Sequence, residues 1–415
     1  MRSGRIAAFI AVLWTALLAF AETGSLSSDQ WRQDLQFFAL ELPKRHINAY
    51  HHTPKSQFEA AVSNLDKKLA GMDYYETAIG FMRLAAMIGD AHTNVNFPAG
   101  NGLTFSLRLR EFDGGFRVVA VAPGLDKALG AHLLKIDETP VDDACNSLSA
   151  LDAQDEHPWL RRALAATELI SARLLHGVGI IPADTAARYT FVADDGAEFS
   201  LAVKAQSPDQ QAQTSWVTAV KQPAYAWEPM HRVNDTFTYT WLATAKAVYS
   251  NIRSMRDLSR SAKELLDFVK KKGAEKLAID LRQNPGGDYF EGLHHLIEPI
   301  AKSSSLNRKG HLFVLIGPLT GSAAMVNAVQ FHTQTNAILV GEPIGAKPTS
   351  HAERRQMELP NSHLVVSYSV NHYEFAYNSE NVVRPDQEVK TTWPVYKAGR
   401  DAALDWIFDY RVDSH

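Results

Sequence analysis

The segment Lys276-Leu277-Ala278-Ile279-Asp280-Leu281-Arg282-Gln283-Asn284-Pro285-Gly286-Gly287 constrains this chain more than any other. Its apolar run reads as a buried strand that breaks at a Pro-Gly-Gly turn, and the helical pattern of 289–302 follows. A second unit of the same form comes next: a strand over 311–317, a turn through Pro318 and Gly321, and a helix opening at Ser322-Ala323-Ala324-Met325. Strand, glycine-rich turn and helix together leave main-chain N–H groups free at a helix start, where negative charge is stabilised. The Ser322 hydroxyl then sits at a strand-to-helix corner beside groups able to hold an oxyanion, as acyl transfer requires. A serine at such a corner can equally serve as a helix cap.

The rest of the chain organises around these units. From Ser28 to about Gly89 the pattern is helical. Thr53-Pro54 reads as an N-cap followed by proline at the first helical position, with Gly71 closing that helix. A further helix is expected over 73–88, ended by Gly89 in a left-handed cap. Residues 103–112 and 116–121 alternate around an Asp113-Gly114-Gly115 turn, a hairpin signature. Residues 130–151 give a strand, a turn and a helix, and the glutamine-rich 206–215 reads as a linker. Beyond it strands and helices alternate, with strands at 237–242, 337–341 and 363–370 and helices at 254–272 and 401–410, which predicts an α/β domain.

Composition narrows the partners. The net charge of −4 carries no basic stripe, so nucleic acid is not an expected partner. Arg2 and Arg5 precede an apolar run over 6–20, and Ala19-Phe20-Ala21 fits a small-x-small cleavage site. Residues 1–21 are therefore read as a signal peptide, with no membrane span after its removal. Export to a bacterial periplasm or the exterior suits a chain whose single cysteine, Cys145, allows no internal disulfide. The histidine pairs His51-His52 and His294-His295 lack zinc-ligand spacing, so neither a metal nor another cofactor is expected.

Five blocks in order, "MIGDAHTNV" (87–95), "IDLRQNPGG", "FVLIGPLTGSAA", "AILVGEPIGAKP" and "VVRPDQEV" (382–389), resemble the tail-specific (C-terminal-processing) serine peptidase family. The resemblance implies an N-terminal helical region over 22–95, a middle module over 96–205, and a ClpP/crotonase-like α/β core over 206–415. The middle module is either PDZ-like, on the phrase "GAHLLKIDETPVDDACNSLSAL", or a β-rich insert packed on the core. Ser322 takes the nucleophile's place, with the N–H groups of Ala323 and of Gly286 or Gly287 as the oxyanion hole. Two bases are implied by different branches of the family. His92 matches the Ser/His/Glu branch and Lys347 the Ser/Lys branch. A histidine titrating near about 6.5 suits a base at neutral pH, whereas a lysine must be shifted far down. Glu380 holds the place of the third member that orients His92, with Glu374 and Asp386 as substitutes and Thr93 as a conceivable fourth partner. The expected function is an exported serine endopeptidase acting on polypeptides, able to self-associate as family members do. The alternatives are a Ser322/Lys347 dyad peptidase, or a non-catalytic relative of the same fold that binds lipophilic ligands.

Overall fold

The computed structural model describes residues 26–98, 102–220, 224–375 and 377–411. The expected signal peptide lies outside these residues. Among the described residues, no helix is long and apolar enough to cross a membrane.

Three helices open the chain: Ser28–Arg45, Lys55–Asp66 and Tyr74–Ala86. Ser27 with Gln30, and Asp73 with Glu76, form reciprocal capping boxes that satisfy otherwise unpaired N–H groups. The second helix starts one residue later than the Thr53-Pro54 signal predicts, with Pro54 itself as N-cap, and it ends at Asp66 well short of Gly71. Gly89 does take the left-handed conformation, with φ +109°. Trp31, Leu35, Phe38 and Leu42 line one helical stripe and are buried against Phe58, Ile79 and Phe81. Met357, Leu359, Leu364 and Val366 complete that core from the far end of the chain. They belong to the long hairpin Thr349–Glu358/Val365–Glu374, whose second strand also pairs with Asn94–Asn96. The N-terminal helical region is therefore built on a C-terminal hairpin.

The α/β core is a seven-stranded sheet. Its order is His231–Asn234, Phe237–Leu242, Ala247–Ile252, Lys276–Asp280, Leu312–Ile316, Ile338–Gly341, Gln387–Glu388. The first two pairings are antiparallel and the remaining four parallel. Lys276–Asp280 and Leu312–Ile316 are buried throughout, as strands covered on both faces must be. The helices Leu258–Lys272 and Ser322–Gln334 cover one face, where Leu265, Val269, Val326 and Phe331 join its core. The helix Ala402–Asp409 covers the other with Leu404 and Ile407. The helical stretch from Tyr289 contains a π-helical turn at Leu293–Ile297.

Between these parts lies an eight-stranded sheet with its own core around Phe105, Phe116, Leu133, Tyr189 and Phe191. The expected hairpin appears as Leu107–Phe112 paired with Gly115–Val121. The helix Val141–Ser149 falls where the strand-turn-helix pattern of 130–151 puts one, while the helices Pro158–Glu168 and Ala172–Gly177, which also pack on that sheet, make the module less purely β than expected. The glutamine-rich linker folds its middle into a short helix, Pro208–Ala212. Chain just beyond it, Val217–Thr218, pairs with the end of Gly115–Val121.

Candidate active site

Two parallel strands deliver the site. After Lys276–Asp280 the chain turns through Asn284-Pro285-Gly286-Gly287, and after Leu312–Ile316 it turns through Thr320-Gly321 into the Ser322 helix. Asn284 is fully buried and knits the two turns together. Its Nδ2 donates to the Ile252 carbonyl (2.9 Å), its Oδ1 accepts the Gly286 N–H (2.9 Å), and its own carbonyl accepts the Gly321 N–H (2.9 Å). Thr320 Oγ1 donates to the Leu281 carbonyl (2.9 Å), fixing one turn against the other. The approach is close enough to demand glycine. A Cβ on Gly286, at φ +117°, would lie 2.6 Å from Ser322 Cβ, and one on Gly287, at φ +145°, 2.7 Å from the Met255 main chain.

Ser322 has φ +47°, a left-handed conformation that a residue with a side chain rarely adopts. Gly321 is the N-cap of the helix, and Ser322 makes no capping hydrogen bond. The hydroxyl therefore stands free of the capping role and meets His92, whose Nε2 lies 3.3 Å from Ser322 Oγ.

His92 comes from the loop between the Tyr74–Ala86 helix and the Asn94–Asn96 strand. Asp90 accepts the His92 main-chain N–H on Oδ1 (3.1 Å). The same carboxylate accepts Ser369 Oγ (2.6 Å) and pairs with His46 Nε2 (2.9 Å), a network buried between the first helix and the hairpin. Burial pushes Asp90 upward, but the hydrogen bonds from His46 and Ser369 outweigh it and hold the carboxyl below its ordinary value. Glu156 grips the loop from the other side. It accepts the Ala91 N–H on Oε1 (3.3 Å) and the Lys347 N–H on Oε2 (3.1 Å). Burial carries this carboxyl up to about 7 despite both bonds. For His92 itself burial also dominates and lowers the imidazole below its usual value. Arg354 works in the same direction, while Asp90, the His351 backbone and Glu353 oppose it. A neutral imidazole facing a serine hydroxyl is the form a general base needs.

The other expected residues separate into those the structure brings here and those it does not. The Ala323 N–H follows Ser322 directly, the Gly287 N–H lies in the facing turn next to Gly286, and neither makes a hydrogen bond to any described residue. The Gly286 N–H is already donated to Asn284, so of the two glycines only Gly287 has an N–H to offer. Lys347 does not reach Ser322, because its ammonium is bound to Asp155 (2.8 Å). Glu380 is an exposed carboxylate paired with Arg384 (3.2 Å), and it makes no hydrogen bond to His92. Its loop is pinned by Asn381, which exchanges hydrogen bonds of 2.7 and 3.0 Å with the Thr349 main chain. Asp386 is taken by His332 (3.0 Å) and the Leu339 N–H (2.7 Å), and Glu374 is exposed beside His372. Thr93 is buried and accepts the Ser369 N–H (3.3 Å), which makes it part of the Asp90 network. Among the described residues no group of side chains is arranged to hold a metal ion.

Asn284, Asp90, His46, Ser369 and Glu156 had no role in the sequence reading. Asn284 and Asp90 sit inside the quoted blocks, where an amide before Pro-Gly-Gly and a carboxylate two residues before His92 were visible signals. His46, Ser369 and Glu156 act only through tertiary contact, and no local pattern marks them.

No protein-family model matches the sequence, and no curated protein matches it. Solved structures do. The chain is similar to mature CPAF complexed with lactacystin, with a TM-score of 0.62 and 13% identity over 92% of this chain and 97% of that one. Mature CPAF alone gives 0.61 and 13% over 92% and 96%. A point mutant of CPAF gives 0.60 and 13% over 93% and 99%. At this identity the likeness is one of fold, and it runs through nearly the whole of both chains.

Proposed function

We propose that the protein is a serine-type peptidase in which Ser322 is the nucleophile and His92 its general base. One observation carries this reading: a serine held at φ +47° at a helix start, its Oγ 3.3 Å from the Nε2 of a histidine kept neutral by burial. The tail-specific resemblance of the surrounding blocks and the CPAF-like fold support it.

In this mechanism Ser322 Oγ attacks the scissile carbonyl carbon while His92 Nε2 takes the hydroxyl proton. The carbonyl oxygen becomes an oxyanion held by the Ala323 N–H and, as the family resemblance implies, the Gly287 N–H, neither of which has a partner among the described residues. Collapse expels the amine, to which His92 returns the proton. Water then attacks the acyl-enzyme by the same exchange in reverse. Asp90 holds the His92 main chain through its N–H (3.1 Å), which fixes the loop that carries the imidazole to Ser322. Glu380 would have to leave Arg384 to take the third place the family resemblance gives it. The core is read as ClpP/crotonase-like, the substrate as a polypeptide, and the apolar N-terminal run as an export signal.

A fluorophosphonate probe tests the site directly. Labelling mapped to Ser322, lost in His92→Ala and kept in Lys347→Ala, is the expected result. Labelling that survives in His92→Ala and vanishes in Lys347→Ala would transfer the base to Lys347. No labelling of the intact protein would remove the proposed nucleophile.

A further inference from the structure

A cavity of about 130 Å³ opens far from Ser322, where the middle module meets the short helix Trp393–Lys397. Lys127, Gly130, Ala193, Asp194, Trp393 and Lys397 line it. Its polar groups are one-sided. Both Asp194 oxygens are occupied, Oδ1 by Arg117 (2.8 Å) and Oδ2 by Lys397 (2.7 Å). The Gly130, Ala131 and Ala193 N–H groups are spent on Val118, Ala128 and Ala197 carbonyls. Among the lining side chains, what remains is donor in character. Trp393 is 7% exposed, and its indole Nε1 is buried with no hydrogen-bond partner. The Lys127 ammonium lies over the Phe199 ring at 4.4 Å and pairs with no carboxylate among the described residues. Lys397 keeps donors beyond the one given to Asp194.

A buried N–H without a partner is rare enough in folded proteins to call for a missing one. Here the missing group must accept hydrogen bonds, and beside two ammonium groups and the Arg117 guanidinium it should be negative. Leu129, Ala131 and Ala219 supply apolar wall between the polar groups, which suits a carbon stem better than a phosphate or sulfate. We propose that this cavity is a binding site for a small carboxylate on a short aliphatic stem. Its occupant would bridge the module to Trp393–Lys397, eight residues or fewer before Asp401, whose carboxylate holds Arg282 (2.8 Å) ahead of the Gly286-Gly287 turn. The inference does not depend on the peptidase reading.

Indole N–H resonances of the uniformly ¹⁵N-labelled full chain test it, with the Trp393 peak assigned from Trp393→Phe. Titration with butyrate should shift that peak saturably, and butyrate should raise the melting temperature as a native-state ligand does. Butyramide, of the same shape but uncharged, should do neither. Lys127→Met should weaken the butyrate response at least about tenfold, the loss expected of one charge-assisted contact. A shift that never saturates, or an equal response to butyramide, would overturn the proposal and leave water as the indole's partner. So would a response unchanged in Lys127→Met.

Discussion

Glu156 makes the sharpest prediction, because its buried carboxyl ties the loop that carries His92 to the loop that carries Lys347. Its ordinary value of 4.5 rises to about 7 in the folded protein, with burial as the leading cause. The sign follows from proton counting. Between these values the folded state holds a proton that the unfolded chain has released, so stability falls as pH rises through this window. The loss amounts to about 3 kcal/mol in all, most of it between pH 5 and pH 8. Glu156→Gln removes the titration while keeping shape and one acceptor. The stability of the wild type minus that of the variant, from urea unfolding at both pH values, should therefore fall by about 2 to 3 kcal/mol from pH 5 to pH 8. Other titrating groups cancel in this difference. Activity should move the opposite way. A glutamine cannot accept both the Ala91 and the Lys347 N–H, so the variant should gain stability at pH 8 yet turn over more slowly there. A difference that changes by less than about 1 kcal/mol over this range would refute the burial argument, because that is within what distant sites produce.

Three more outcomes are expected. Gly286→Ala places a methyl 2.6 Å from Ser322 Cβ at a left-handed φ, and should cost about 3 kcal/mol in urea unfolding and abolish probe labelling. Unchanged stability would mean the two turns are not so close. Glu380→Gln should lower kcat/KM by less than about tenfold, since its carboxylate is engaged with Arg384. A loss of several orders of magnitude would show that its loop turns to meet His92 during the reaction. Because burial lowers His92, the acid limb of kcat/KM that reports it should fall below its ordinary 6.5. That limb should persist in Glu156→Gln, and a limb above 6.5 in the variant would place His92 in a wetter site than the structure gives it.

The strand-turn-helix units were legible because their signals are local. The buried runs 276–280 and 312–316, the glycines after them and the helix from Ser322 all depend on neighbours in sequence. The pairing of His92 with Ser322 came from motif resemblance, not from periodicity, and the geometry places those two side chains together. The strand Thr349–Glu358 was missed for a physical reason. Its middle, Glu353-Arg354-Arg355-Gln356, is exposed and polar on both faces, so no alternation marks it. The helices Pro158–Glu168 and Ala172–Gly177 were missed in a stretch already assigned as β-rich, although Pro158 opens the first of them in the usual way. Glu380 shows the limit of spacing as evidence. A carboxylate at a suitable distance along the chain is still free to choose its partner, and here a closer arginine has it.

Among the described residues, the strand Asn94–Asn96, which begins two residues after His92, pairs only with Val365–Glu374. A ribosome or an export channel delivers the chain from its N-terminus, so the histidine emerges long before the strand that holds it in place. On the proposed reading, hydrolytic competence would arrive only once the hairpin has been made, and fragments truncated before it should be inert even with His92 and Ser322 both present. Closing so long a loop is slow, which makes the gap between synthesis and activity one of time as well as of sequence. An interval would then separate the making of the histidine from its use as a base.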